Sequence, residues 1–173
     1  MQLETKRTLI RKFTLSDVDP LHKVLSNPKV MEYIEEPYTL EKTKEFIIQA
    51  GLCNPPLVYA LELKSAKRVI GHVIYRKFDE KSDEIGWIID QDHWGKGLAD
   101  EITKGIISYS KRHSDARSLV IECDPAQRTT EKIALKNGFT DEGIVDGLRL
   151  FRRQVNRRDK TQSTKPDQNG DVQ

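Results

Sequence analysis

Six stretches of the chain alternate apolar and polar residues, or carry short apolar runs between turn-forming residues, which is the pattern of β-strands. Short polar turns separate the three central stretches, so these are predicted to form an antiparallel meander. The predicted strands cover Thr8–Phe13, Leu57–Leu63, Val69–Arg76, Glu84–Ile89, Leu119–Cys123 and Leu148–Gln154.

Elsewhere the apolar residues recur every three or four positions, which predicts helices. Asp17 and Thr39 are residues that favour helix beginnings, and Asn137-Gly138 is a typical helix end. The predicted helices begin near Ser16, Val30, Thr39, Gly95 and Thr129, and the longest runs from Gly95 to about His113.

The second half of the chain alternates strand, helix, strand and helix, which is the order of a crossover connection between parallel strands. The sequence therefore predicts a mixed α/β fold in one domain over residues 1–155. Residues 156–173 contain almost no apolar side chains and are predicted to be a polar, disordered tail.

Composition excludes several classes of protein. The 29 basic and 27 acidic residues give a net charge of +2, which predicts no nucleic-acid partner. Cys53 and Cys123 are too far apart for a zinc-binding pair, and the four histidines show no ligand spacing, so no metal is expected. The chain has neither a membrane-spanning run nor an apolar leader, so we expect a cytoplasmic protein.

The turn before the longest predicted helix contains two glycines. Gly95 and Gly97 leave the main-chain N–H groups of the first helical turn uncovered, and these groups and the helix dipole attract phosphate. Lys96 adds a positive charge. An ordinary strand-to-helix turn also carries glycines, so the motif alone leaves both interpretations open. It is neither a P-loop nor a dinucleotide fingerprint, because no Gly-Lys-Ser/Thr follows and no third glycine lies three residues beyond Gly97.

This turn is one of several motifs that occur in a fixed order along the chain. In that order they resemble the GNAT family of Gcn5-related N-acetyltransferases, in particular its branch of ribosomal-protein N-terminal acetyltransferases. The resemblance extends from about Arg7 to Arg152. The motifs are Arg7-Thr8-Leu9-Ile10-Arg11, Ser16-Asp17, Asn27-Pro28-Lys29-Val30-Met31, Pro37-Tyr38-Thr39-Leu40-Glu41, Ile70-Gly71, Glu84-Ile85-Gly86-Trp87, Trp94-Gly95-Lys96-Gly97-Leu98-Ala99-Asp100-Glu101 and Lys136-Asn137-Gly138-Phe139.

The resemblance implies a mostly antiparallel, twisted sheet with helices on both faces and a split between the fourth and fifth strands. It also implies that acetyl-coenzyme A is the co-substrate and binds in this split, with its pantetheine arm along the fourth strand and its pyrophosphate on the glycine turn. The implied cofactor-binding residues are Ile88, Ile89, His93, Trp94, Gly95, Lys96, Gly97, Leu98, Ala99, Gln127 and Thr130.

The chain departs from the family pattern at three positions. Asp92 stands where the glycine turn of the family usually opens with Gln or Arg. Gln127 stands where the family has an Asn that meets the coenzyme arm, and Leu135 stands near the position of a tyrosine that reprotonates the leaving thiolate. Leu135 cannot donate a proton, so catalysis is expected to depend mainly on proximity.

Glu84 is the candidate base, because family members often place an acidic residue there or nearby to accept the proton of the attacking amine. The alternative is that Glu84 is a solvated residue at the edge of a turn. Alternation places Glu84, Gly86 and Ile88 on one face of the strand and Ile85 and Trp87 on the other. Cys123 is interpreted as a core residue rather than an acyl-carrying nucleophile.

By family analogy, an acidic and aromatic segment borders the acceptor cleft and suits a cationic amine. The sequence thus predicts acetyl transfer to a primary amine, either a protein N-terminal α-amino group or a small molecule, by a monomer or homodimer. The alternatives are a non-catalytic acyl-coenzyme A-binding module and a nucleotide-binding regulatory domain. The predicted acceptor-binding residues are Tyr33, Glu35, Tyr38 and Trp87, and Glu36 belongs to the same segment.

Overall fold

The computed structural model describes residues 1–155, and the strands within this range form one eight-stranded sheet. The strand order is β1-β2-β3-β4-β5-β6-β8-β7, and every neighbouring pair is antiparallel except β5 and β6, which are parallel. The strands are β1 Leu3–Glu4, β2 Thr8–Arg11, β3 Val58–Leu63, β4 Arg68–Lys77, β5 Ser82–Ile89, β6 Ser118–Cys123, β7 Thr140–Val145 and β8 Leu148–Gln154.

Five α-helices cover the two faces of this sheet. Short 3₁₀ turns at Leu15–Asp17 and Gln91–His93 precede α1 and the glycine turn, and α3 continues as a π-helical turn over Ile47–Gly51. The helices are α1 Val18–Leu25, α2 Pro28–Met31, α3 Leu40–Phe46, α4 Leu98–His113 and α5 Arg128–Lys136.

All of the predicted strands and helices are present, and the mixed α/β class is confirmed. Several boundaries were wrong by two or three residues. The first predicted strand ends at Arg11, the strand predicted from Glu84 begins at Ser82, and the helix predicted from Gly95 begins at Leu98. The short second helix begins at Pro28 and ends at Met31. Pro28 explains the earlier beginning of this helix, because a proline at the first helical position needs no hydrogen-bond partner. Strands β1 and β7 were not predicted. The predicted tail lies outside the described residues.

Two apolar cores lie on opposite faces of the sheet. On one face, Ile102 and Ile106 of α4 pack against Ile85 and Leu119 of the parallel strands. On the other face, residues of α1, α2 and the π-helical turn after α3, such as Ile47, pack against β3 and β4, and Ile88 lies at the border of this core. The α1–α3 side and the α4–α5 side of the sheet are therefore separate packing units.

The parallel strands β5 and β6 pair over only three residues. Their register joins Ser82–Glu84 with Ser118–Val120, and beyond Glu84 the two strands have no further pairing. β5 continues to Ile89 while paired with β4 alone. The sheet thus opens into a split between β5 and β6, which are the fourth and fifth of the predicted strands. The glycine turn and α4 follow from the free end of β5.

Candidate active site

The glycine turn forms because two of its residues have left-handed backbone conformations. Gly95 has a φ of 70° and Gly97 a φ of 75°, in the region where a side chain is strained. A Cβ atom at Gly95 would contact nothing within 4 Å, so the dihedral angle, and not lack of space, requires glycine there. Gly97 is the N-cap residue of α4, so the turn delivers the chain directly into the helix.

The turn presents a row of main-chain donors. The N–H groups of Leu98, Ala99 and Asp100 begin α4 and have no preceding helical turn to bond with. His93 and Trp94 lie at the other end of the predicted phosphate-binding run, and their N–H groups already donate to Asp90 and Gln91, at 2.9 and 3.1 Å. Free donors therefore come from the Gly95–Ala99 part of the run rather than from its beginning.

Two cationic side chains, one within the turn and one outside it, donate hydrogen bonds to its main chain. The Lys96 ammonium donates to the main-chain oxygen of Asp92 at 2.7 Å, so this contact depends on the backbone of Asp92 and not on its side chain. Arg7 donates to the main-chain oxygen of Lys96 at 2.7 Å and to Glu101 at 2.7 Å. Arg7 was not among the predicted site residues, because its role depends on how the connection between β1 and β2 packs beside the helix.

Acidic residues in the first turn of α4 are neutralised by neighbours. Lys136 and Lys104, each at 2.9 Å, and Asn137, at 2.8 Å, bond to the Asp100 carboxylate and hold its pKa far below the usual range. Glu101 accepts from Thr5 at 2.6 Å and from the main chain of Arg7 at 2.8 Å. The beginning of α4 can therefore attract an anion despite two carboxylates.

The free edge of β5 offers main-chain groups to the split. The main-chain N–H of Asp90 donates to the main-chain oxygen of Ile70 in β4. Because the main-chain groups of successive residues in a strand point to opposite sides, those of Ile89 and Trp87 point away from β4 and toward the split. The Ile89 oxygen accepts from the Trp94 indole at 2.8 Å. Trp87 packs with the α4 core, whereas Ile88 lies on the opposite face of the strand.

Glu84 lies at the point where β5 and β6 diverge. It is buried, and Arg76 of β4 donates to its Oε2 atom at 2.6 Å, so the solvated alternative at a turn edge does not describe it. A second carboxylate, that of Glu122 in β6, lies near this point, and it was not among the predicted site residues. Burial and the nearby charge of Glu84 raise the pKa of Glu122.

A cavity of about 200 Å³ lies beneath the connection between α2 and α3. Tyr38 and Glu35 lie at its wall, and the Tyr38 hydroxyl donates to Glu35. Lys42 also donates to Glu35, at 2.6 Å. Burial works to raise the Glu35 pKa, but the bonds from Lys42 and Tyr38 outweigh it and lower this pKa. The cavity is lined by Leu25, Met31, Ile34, Glu35, Tyr38, Phe46, Ala50, Leu57, Val58, His72, Ile74, Arg76 and Ile88.

A second, more open pocket of about 470 Å³ adjoins the same connection. Tyr33 lines it, and its other polar lining is acidic: Glu32, Glu35 and Glu36 from the connection and Asp124 from the end of β6. The acidic segment predicted from sequence thus faces a carboxylate from across the split.

The α5 side of the split carries the remaining predicted contacts. Gln127 precedes α5 and accepts the Glu131 N–H with its main-chain oxygen at 3.2 Å, and Thr130 lies in the first turn of this helix. Leu135 is exposed on α5. Cys123 is buried at the end of β6, and burial raises its thiol pKa to about 11, so it is protonated at neutral pH.

The structure brings the predicted residues together in two groups. The run from His93 to Ala99 continues directly from Ile88 and Ile89 along one side of the split. Glu35 and Tyr38 share the smaller cavity, while Tyr33 and Glu35 share the more open pocket. Trp87 lies apart from these acceptor candidates, on the other face of the sheet. Residues 1–155 contain no group of three or more potential metal ligands.

Comparison with known proteins identifies the class to which this fold and site belong. A model of the acetyltransferase (GNAT) domain matches residues 7–140, so the chain belongs to the GNAT family of acetyltransferases. An N-acetyltransferase of Bacillus subtilis, YnaD, is 27% identical over 145 residues, which cover 83% of this chain and 85% of the relative. The chain is therefore an acyltransferase enzyme, and the non-catalytic alternative is set aside.

Solved structures agree with this fold. A GNAT acetyltransferase from Bacillus anthracis superimposes with a TM-score of 0.81 at 22% identity, over 90% of this chain and 99% of that one. The ribosomal L7/L12 alpha-N-protein acetyltransferase RimL, solved with coenzyme A, has a TM-score of 0.77 at 19% identity, over 90% and 98% of the two chains. No helix within residues 1–155 is long and apolar enough to cross a membrane.

Proposed function

We propose that the enzyme transfers an acetyl group from acetyl-coenzyme A to a primary amine by direct attack in a ternary complex. The acceptor is a protein N-terminal α-amino group or a small-molecule amine, with the α-amino group favoured. The observation that carries the proposal is the free edge of β5 from Ile85 to Ile89, which leads into the glycine turn and the uncovered N–H groups of α4.

The residues of the split fit coenzyme A. Its pyrophosphate needs anion-binding donors, which the main chain from Gly95 to Ala99 supplies, and Lys96 lies within this run. Its pantetheine arm carries amides that pair with a strand edge, and Trp87 and Ile89 turn main-chain groups toward the split. RimL, whose structure contains coenzyme A, shares this fold.

Acetyl-coenzyme A supplies a thioester, at which the amine nitrogen forms a bond to the carbonyl carbon while the carbon–sulfur bond breaks and the thiolate leaves. The chain must accept the proton that the amine loses. Glu84 is buried at the diverging point of the strands and is our candidate acceptor, directly or through water. The ion pair with Arg76 fixes the orientation of its carboxylate.

The proton balance favours an α-amino acceptor. Deprotonating a lysine side chain at pH 7 costs about 4.6 kcal/mol, whereas an α-amino group costs about 1.3 kcal/mol. The open pocket supports a cationic acceptor of either kind, because Glu32, Glu36 and Asp124 attract an ammonium group to the split. RimL is described as an alpha-N-protein acetyltransferase, which also supports this choice.

A binding and a turnover experiment together test the proposal. We expect acetyl-coenzyme A and coenzyme A to raise the melting temperature and ATP not to, because a ligand that binds the native state stabilises it. Free thiol should then appear with peptides that have a free N-terminus. An N-acetylated peptide with an internal lysine and a polyamine are the comparison acceptors.

Each result has a definite meaning. Stabilisation by ATP alone would replace the proposal with the nucleotide-binding alternative. Stabilisation by coenzyme A with thiol release only from the polyamine would contradict the α-amino choice and retain the acetyltransferase activity.

A further inference from the structure

The smaller cavity, of about 200 Å³, contains a buried histidine that the proposed reaction does not use. His72 of β4 is 4% exposed and lines this cavity together with Phe46, whose ring centroid lies 5.1 Å from that of the imidazole. Most of the wall is apolar, and its other polar residues are Tyr38, Glu35 and Arg76.

The imidazole lacks a full set of partners. Within residues 1–155, the Nδ1 atom of His72 is enclosed and has no hydrogen-bond partner. An unpaired buried polar atom is costly and is rare in native proteins. Burial lowers the pKa of His72 to about 4, so the ring is neutral at physiological pH. A neutral imidazole forms a hydrogen bond with an uncharged group and gives no strong attraction to an ion.

The charged groups at the wall of the cavity already have partners. Glu35 bonds to Lys42 and Tyr38, and Arg76 is paired with Glu84. A charged ligand group in the cavity would therefore lose its hydration without finding a free counter-charge. The cavity consequently suits an uncharged group.

The cavity is also adjacent to the reacting centre. Ile88 lines the cavity and lies between Trp87 and Ile89, the two residues that turn main-chain groups toward the split. Arg76 lines the same cavity and bonds to Glu84, the candidate proton acceptor. An amine placed in the split beside Glu84 would therefore have the cavity within reach of the group attached to its α-carbon.

We propose that this cavity binds the side chain of the amino-bearing residue of the acceptor, and that His72 selects an uncharged, mainly apolar side chain with a hydrogen-bonding oxygen. This inference rests on the proposed transfer to α-amino groups and adds to it a specificity-determining residue. The volume of about 200 Å³ admits a side chain as large as an aromatic one. Because Nδ1 is enclosed by the protein, the hydroxyl of threonine or tyrosine would pair with Nε2, the other ring nitrogen, while the apolar part contacts the wall.

The test compares peptides that differ only in the hydroxyl of the first residue. Peptides beginning with Val and Thr form one pair, and peptides beginning with Phe and Tyr form another. We expect the wild-type enzyme to show a kcat/KM about tenfold higher for the hydroxyl member of at least one pair, the usual effect of one hydrogen bond. His72→Phe should reduce this ratio to about one, and His72→Gln should restore part of it.

A matched control separates selectivity from stability. Val73→Ala alters the next residue of β4, which is fully buried on the opposite face of the sheet. This variant should lose stability but keep the wild-type ratios. Wild-type ratios near one in both pairs, or ratios that His72→Phe leaves unchanged, would overturn the proposal.

A binding measurement keeps the inference testable if the proposed function fails. If no peptide gives thiol release, transfer to α-amino groups is wrong, and the ring ¹⁵N resonances of His72 then decide about the cavity alone. A shift of these resonances with the Thr peptide and not the Val peptide, or with the Tyr peptide and not the Phe peptide, would support the cavity as a side-chain site. Unchanged resonances would overturn it.

Discussion

The two sides of the split are built in different ways. The proposed cofactor side is made mainly of backbone: the free edge of β5, two glycines with positive φ and the first N–H groups of α4. The proposed acceptor side is made of side chains, such as Tyr38, His72 and Arg76, that come from separate elements. The first side depends on local conformation and the second on tertiary packing.

This difference explains how the chain departs from its family. Asp92 replaces the usual residue of the glycine turn, but Lys96 bonds to the main-chain oxygen of Asp92, and any residue supplies that atom. A site made of backbone therefore tolerates changes of side chain. A site made of side chains changes its selectivity whenever one of them is replaced.

Glu84 lies where the two sides meet, and its replacement should have the largest effect. We expect Glu84→Gln to lower kcat by a factor of about 10² to 10⁴, the usual contribution of a general base, while the affinity for coenzyme A stays unchanged. Turnover should be measured across pH by thiol release. Unchanged turnover at every pH would sink the assignment of Glu84 as proton acceptor.

Asp83 provides the matched control for this experiment. It is 3% exposed against 7% for Glu84, but it points to the opposite face, where Tyr75 donates to it at 3.1 Å. Asp83→Asn should therefore affect stability and leave the pH dependence of kcat in place. A loss of kcat equal to that of Glu84→Gln would indicate a general structural cause.

Acid should weaken the acceptor side through His72. The pKa of this histidine is about 4 in the folded protein and about 6.5 when exposed, so the unfolded chain binds the proton first as pH falls. Stability should fall between pH 6.5 and 4, by up to about 3 kcal/mol. Urea unfolding at both ends of this window measures the change. His72→Gln should remove it, and an equal loss in this variant would assign the effect to other groups.

The cofactor side should respond to a change in backbone conformation. Gly95→Ala strains a residue with a φ of 70° and should cost about 1 kcal/mol of stability, and it should weaken coenzyme A binding about tenfold. Gly143→Ala is the control, because its φ is 88° and a Cβ would contact nothing within 4 Å at either glycine. Calorimetric titration should show weaker binding for the first variant alone. Equal affinities would mean that the turn does not hold the pyrophosphate.

The smallest expected effect concerns Glu122, where the two sides approach each other. Burial and the charge of Glu84 raise its pKa, so its ionisation opposes folding, and stability falls as pH rises through this pKa. Glu122→Gln should raise the melting temperature slightly at neutral pH and have no effect below about pH 4. A lower melting temperature at neutral pH would show that the charged carboxylate is stabilising.

Local sequence patterns predicted most of the fold. The Leu98, Ile102 and Ile106 repeat predicted α4, and these three residues lie on its buried face. β7 was missed because most of its residues are exposed and the register shifts between Asp141 and Ile144, so its sequence has no regular alternation. A strand without a buried face leaves little signal in a single sequence.

The candidate site was predictable only where it is local. Gly95 and Gly97 carry a conformational requirement that their spacing reveals, and the structure gives both of them positive φ values. The position of His72 beside Phe46 depends on how α3 packs over β4, which no short motif encodes. The same holds for Arg7, whose contact with Lys96 joins residues 89 positions apart.

The bond from the Trp94 indole to the Ile89 oxygen gives the enzyme a built-in optical reporter. The chain has two tryptophans, Trp87 and Trp94, and both lie on the segment that borders the proposed cofactor. Trp94 is 48% exposed, whereas Trp87 packs against the core, so their emission should occur at different wavelengths. Intrinsic fluorescence can therefore follow events in the split in real time without a label.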